Sequence, residues 1–130
     1  MIVVIPGRPI PQQRPRFAKG HAYDPSAKDK REFMLKCVEE QLPEGIAGPL
    51  SIDLTFEYKR PKTHFRTGKF SHIMKEDAPM IHTQTPDLDN LVKFVLDALN
   101  GKYYIDDRQI YKITARKKWS ETDQTIVKII

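Results

Sequence analysis

The segment from Asp89 to Asn100 constrains the fold more than any other. Leu91, Val92, Phe94, Val95, Leu96, Ala98 and Leu99 would be apolar around most of a helix's circumference. The polar residues Asn90, Lys93, Asp97 and Asn100 recur at spacings of three and four and form one narrow stripe. Such a helix is expected to be buried on nearly all sides. Asn100-Gly101 stops it. The rest of the chain must supply the cover. With 130 residues, 39% of them apolar, it fits one domain over residues 1–130 with one modest core.

That cover can be read from local patterns. Residues 2–5 form a buried strand closed by Pro6-Gly7. Residues 8–24 carry Pro9, Pro11, Pro15 and Gly20 and are expected to be an ordered loop at best. Asp24 as N-cap and Pro25 at the first helical position open a helix to about Leu42, with Phe33, Met34, Cys37, Val38 and Leu42 toward the core. Residues 50–58 alternate, Leu50, Ile52, Leu54 and Phe56 against Ser51, Asp53, Thr55 and Glu57, as in a half-buried strand. Residues 59–85 have no clear period; a connection that long is usually functional or mobile. Beyond the second helix, 102–106 reads as a short strand, and 109–118 and 124–130 as two more. The order is β-α-β-α-β-β. It predicts an α+β fold, a mixed β-sheet with two main helices packed on it.

The chemistry concentrates in Pro86-Asp87-Leu88-Asp89-Asn90 and Asp106-Asp107. Residues 90–100 span about 16 Å of helix, and residues 102–106 span about 16 Å of extended chain, with Gly101 between them. Helix out and strand back should return Asp106 and Asp107 to the helix N-terminus, beside Asp87 and Asp89. Carboxylates gathered in that number either raise their pKa values or hold a cation. Hard oxygen ligands suit Mg²⁺ or Mn²⁺. The one cysteine, Cys37, excludes a disulfide framework and a cysteine-based zinc site. Taken singly, Asp89 is more simply an N-cap, Asp87 a partner of the helix dipole, and Asp106-Asp107 a turn. Together they exceed what a cap needs. Lys93 lies four residues after Asp89 and points back toward the cluster. It belongs either to an Asp89–Lys93–Asp97 salt-bridge row or beside a metal, facing a phosphate.

The formal net charge is +5, and the bases cluster. Residues 59–75 hold Lys59, Arg60, Lys62, Arg66, Lys69 and Lys75 with Phe65 and Phe70 interleaved, and no acid. The first loop adds Arg8, Arg14, Arg16, Lys19 and His21. Basic residues interleaved with aromatics on loops fit a nucleic-acid backbone. Arg116, Lys117 and Lys118 read instead as a solvated face, and His64, His72 and His82 as loop residues rather than ligands. No stretch approaches the ~18 apolar residues of a membrane span. Met1–Gly7 lacks a basic flank and is too short for a secretory signal, so the expected location is the cytoplasm.

These residues resemble the RusA-like Holliday-junction resolvases of bacteria and their phages. The core of the likeness is Pro86-Asp87-Leu88-Asp89-Asn90-Leu91-Val92-Lys93, then Leu96–Gly101, then Asp106-Asp107-Arg108-Gln109-Ile110. Pro11-Gln12-Gln13-Arg14-Pro15-Arg16-Phe17 with Tyr23-Asp24-Pro25 matches phage-type members. The resemblance implies a Mg²⁺-dependent homodimeric endonuclease that cuts four-way DNA junctions, without a small-molecule cofactor or a membrane. Carried over by position, Asp87, Asp89 and Asp107 would bind the metal, Lys93 would be the essential basic residue, and Asp106 would be a neighbouring acid. Many relatives have a lysine just before the motif proline, where this chain has Gln84-Thr85.

Three readings follow. The first is metal-assisted phosphodiester hydrolysis. The second is a non-catalytic junction-binding module that uses the same basic loops, with the carboxylates as a structural ion site or caps. The third is an adaptor whose apolar helix docks a protein.

Overall fold

A computed structural model describes residues 1–130. Strands β1 (Ile2–Pro6), β4 (Leu50–Lys59), β5 (Ile110–Ser120) and β6 (Gln124–Ile129) form one sheet in the order β1-β6-β4-β5. β4 and β5 are parallel and the other pairings antiparallel, so the sheet is mixed. Helices α1 (Ala27–Glu39) and α2 (Leu88–Leu99) pack on it and on each other. Phe33 and Phe94 meet edge to face at 5.8 Å where the helices touch. The α+β class and the β-α-β-α-β-β order of the main elements are as expected. A separate hairpin, β2 (Arg16–Ala18) with β3 (His21–Tyr23), forms inside the stretch expected to be loop.

β4 lies at the centre because its alternation serves both faces. Leu50, Ile52, Leu54, Phe56 and Tyr58 enter the core. The opposite face is polar as expected, yet Ser51, Thr55 and Glu57 are buried as well. Long side chains of the neighbouring strands roof them. Arg116 grips Asp53 through two bonds of 2.8 and 3.2 Å and reaches Thr55 Oγ1 at 2.7 Å. Gln124 donates to Glu57, and Lys118 pairs with it at 3.6 Å. The Arg116 guanidinium holds the Asp53 carboxyl below its usual range. A carboxyl with a depressed folded-state pKa adds stability above its unfolded value of about 4 and loses it as pH falls through the folded value. Thermal stability is therefore expected to drop on acidification below about pH 4, and Asp53→Asn to flatten that part of the melting-temperature profile.

Three local differences have physical causes. α1 begins after Ser26 rather than Asp24, because the Asp24 carboxylate accepts from the Ser26 N–H at 2.8 Å and turns the chain before the helix starts. It ends at Glu39, and Gln41 turns left-handed (φ 61°). Val38 stays exposed while Cys37 and Leu42 are buried. Burial pushes the Cys37 thiol up to about 12. Residues 102–106 form no strand. Tyr103 and Tyr104 are both fully buried, and the chain coils there, with the Gly101 N–H donating to the Tyr104 carbonyl at 2.8 Å. Tyr103 Oη donates to the Met34 carbonyl at 3.0 Å, and Tyr104 Oη to the Leu96 carbonyl at 2.6 Å.

α2 is covered on one side only. Leu91, Phe94, Val95, Ala98 and Leu99 are buried. Leu88, Val92 and Leu96, a row at four-residue spacing, are half-buried and open to a groove. The all-round burial expected of this helix is thus not complete within one chain.

Candidate active site and nucleic-acid surface

The groove along α2 is lined by Leu88, Asp89, Val92, Lys93, Leu96, Asp97, Asp107 and Ala115. α2 supplies most of its wall. Asp89, Lys93 and Asp97 stand one turn apart on the helix, as the polar stripe requires. Asp107 reaches the opposite side from a 3₁₀ turn, Asp107–Gln109.

That turn is built by Asp106. Its carboxylate accepts from the Arg108 N–H at 2.9 Å, and the Gln109 side chain accepts from the Asp106 N–H at 3.0 Å, a reciprocal cap. The backbone bond from Arg108 is the main cause that lowers the Asp106 pKa. Asp106 faces a different depression, with Gly48, Ile105, Arg108 and Gln109. It therefore shapes the turn that aims Asp107 and does not line the groove.

Asp87 is the N-cap residue of α2, in an extended conformation, and its carboxylate makes no capping bond. Asp89 accepts only from the neighbouring Asn90 N–H, at 2.9 Å. Chain lengths alone predict that Asp87, Asp89, Asp106 and Asp107 meet at the helix N-terminus. They do not meet: no three histidine, cysteine, aspartate or glutamate side chains cluster closely enough to hold one ion by themselves. The chain coils at Tyr103-Tyr104 and meets α2 beside Leu96. Tyr104 marks the place. Burial first, then the adjacent Asp107 carboxylate, push its hydroxyl well above the ordinary tyrosine value, so it stays protonated.

The Asp89–Lys93–Asp97 salt-bridge row is absent. Asp97 pairs with Lys30 of α1 at 3.3 Å, and Lys93 has no carboxylate within ion-pair distance. The Lys93 ammonium is thus exposed to the groove with its charge unneutralised. Asp97 is a groove residue not expected to belong to the site, and Tyr104, buried behind the groove, supports Asp107. The four-residue step from Lys93 was the signal for Asp97.

The basic surface divides in the same way. Arg14, Arg16 and Lys19 are exposed on or beside the β2–β3 hairpin. Lys62, Arg66, Lys69 and Lys75 are exposed on the 60–80 loop, which folds on itself through Arg66 N to Ile73 O and Lys75 N to His64 O, both 2.9 Å. Lys59 is exposed at the strand end, its N–H held by Asp123. Arg60 is committed inside the loop, donating to the Pro79 carbonyl at 2.7 Å. The loop is pinned by His82, a buried residue and not a free loop histidine. Its ring lies 4.6 Å from Tyr58 and 4.2 Å from Trp119. Burial is the first cause that lowers the His82 pKa. Arg116, Lys117 and Lys118 are all engaged within the protein rather than left as the solvated face expected of them. Lys117 Nζ donates to the Gln84 and Pro86 carbonyls at 2.6 Å each, fixing the segment that leads into Asp87.

Residues 6–130 match the model of the family described as endodeoxyribonuclease RusA. The chain belongs to the RusA endodeoxyribonuclease family. It is also similar to the "Uncharacterized protein YqaN" of Bacillus subtilis (strain 168), 35% identical over 130 residues that cover 95% of this chain and 90% of that one. RusA membership implies endodeoxyribonuclease activity on Holliday junctions, and it spans both the α2 groove and the basic loops. No helix is long and apolar enough to cross a membrane.

Proposed function

We propose that this RusA-family chain is a Mg²⁺-dependent nuclease that resolves four-way junctions by paired phosphodiester hydrolysis, in DNA recombination and repair in the cytoplasm. The observation that carries the reading is one open groove holding Asp89, Asp107 and an unpaired Lys93. Mg²⁺ is commonly held by one or two carboxylates, with water and substrate phosphate filling the remaining positions. The groove fits that pattern: Asp89 and Asp107 would hold the ion, and Asp87, the uncapped N-cap residue two positions before Asp89, is the third acid the motif offers. Mn²⁺ would substitute. When bound, the ion would acidify a water and polarise the scissile phosphate.

The chain's own groups do the rest. Lys93 offsets charge growing on the phosphoryl oxygens. Tyr104, held protonated, keeps α2 and the Asp107 turn in fixed relation through the Leu96 carbonyl. Phosphoryl transfer relies mostly on positioning and electrostatics, so no nucleophilic side chain is required.

Paired cutting calls for two sites, and hence a homodimer. Exposed Ile105, Tyr111 and Ile113, apolar residues outside the groove lining, support one. Arg14, Arg16, Lys19, Lys59, Lys62, Arg66, Lys69 and Lys75 would follow the DNA backbone. Arg66→Glu with Lys69→Glu is expected to weaken junction binding about tenfold or more and to flatten its salt dependence by roughly two phosphate contacts, read by anisotropy at several salt concentrations. An unchanged salt slope would remove the loop from the DNA surface.

A labelled mobile four-way junction, incubated with and without Mg²⁺, tests the main reading: symmetrical nicks are expected with the ion only. Binding without scission under any divalent ion would favour the second reading, a junction-binding module. The lack of a three-carboxylate cluster is the observation on its side.

A further inference from the structure

The β2–β3 hairpin has no partner within the chain. All six of its strand residues are exposed. Phe17, 80% exposed, is the most exposed large apolar side chain in the molecule. Its cross-strand neighbour is Ala22, whose methyl group gives the ring nothing to pack on. An isolated two-stranded hairpin is marginally stable in water, and this one is built to hold its shape. Lys19 (φ 51°) and Gly20 (φ 77°) make a two-residue turn, left-handed at both positions, that suits the twist of a tight hairpin.

Its base is clamped to both helices. The Gln12 N–H donates to the Asn90 carbonyl of α2 at 2.9 Å, and the Gln13 N–H to Ser26 Oγ before α1 at 3.0 Å. Lys30 ties Asp24, at the end of β3, to Asp97 of α2, at 2.6 and 3.3 Å. The clamp borders a cleft that includes Arg14, Asn90 and Lys93. The hairpin therefore springs from the polar stripe that borders the candidate active site. Three residues at about 3.3 Å each carry its tip roughly 10 Å outward, about three base steps along a strand. Between residues 8 and 23 there is no acid, and Arg8, Arg14, Arg16 and Lys19 are cationic.

An exposed aromatic ring on an anchored hairpin within a basic patch matches the face of an unpaired base flanked by phosphates. We infer that the β2–β3 hairpin is a wedge: Phe17 stacks on a base laid open at the branch point of the DNA, with Arg14, Arg16 and Lys19 on the flanking phosphates. Continuous duplex hides its base faces, so the wedge selects branched over linear DNA. The inference rests on the DNA-binding reading above but does not require strand cleavage.

The test uses the full chain without Mg²⁺ and a four-way junction carrying 2-aminopurine beside the branch point. The wild-type chain should raise the fluorescence as the base unstacks. Phe17→Ala should abolish most of that rise and weaken junction binding about tenfold, while duplex affinity stays within about twofold. Phe17→Tyr should restore both. Phe17 is exposed, so neither change disturbs the core. An unaltered rise in Phe17→Ala, equal losses on junction and duplex, or no rise with the wild-type chain would each overturn the wedge. Incision in Mg²⁺ is scored separately. A wild-type chain that opens the branch without cutting keeps the wedge and removes the nuclease. One that cuts without dependence on Phe17 keeps the nuclease and removes the wedge.

Discussion

Asp89→Asn should lower junction incision in Mg²⁺ by about 10³-fold or more while junction binding is kept or strengthened. A bound divalent ion supplies several kcal/mol of transition-state stabilisation, and each ~1.4 kcal/mol is a factor of ten in rate. The substitution is sterically neutral. Asp89 is exposed and bonds only to the adjacent Asn90 N–H, which an amide oxygen accepts equally well. The variant should therefore melt within a degree or two of the parent. Loss of incision with an intact fold and intact binding isolates the chemistry. A variant that cuts at the parental rate would end the metal assignment.

Lys93→Ala is expected to cost about 10²–10³ in turnover, the usual effect of deleting one group aimed at developing charge. The Mg²⁺ concentration giving half-maximal rate should hardly move, because Lys93 is no ligand. Stability should change by less than about 0.5 kcal/mol, since the exposed ammonium pairs with no carboxylate. Lys93→Arg would keep the charge in an altered shape and should recover part of the loss. A normal turnover in Lys93→Ala would return the residue to a solvated helix face.

The elements legible in advance were those with strong periodicity. β4 and α2 carry it openly, and the mixed sheet follows from their order. What escaped was decided by long-range contacts. The β2–β3 hairpin has no apolar alternation, only a turn that tolerates left-handed residues and a clamp made by α1 and α2. The strand expected at residues 102–106 was lost to two adjacent tyrosines that both find carbonyl partners, at Met34 and Leu96. The candidate site was legible as a set of residues but not as a cluster. Asp89, Lys93, Asp97 and Asp107 share a groove, Asp87 stays out of its lining, and Asp106 is drawn into a cap by Gln109, three residues on, a local pairing that the sequence displays. His82 resembled a loop residue because the aromatic slot that holds it comes from β4 and β5.

The pairing of β1 with β6 bears on how the molecule assembles. It aligns Ile2 with Lys128, and the parallel ladder aligns Leu50 with Ile110, so the sheet joins residues from opposite ends of the chain. Both closures demand a large loss of chain entropy before any contact rewards it. The helices can flicker into shape from local bonds alone, but the platform beneath them has no local nucleus. Newly made protein must therefore emerge almost whole before β6 enters between its two neighbours, and until then the apolar side of β4 stands open to any strand that reaches it first.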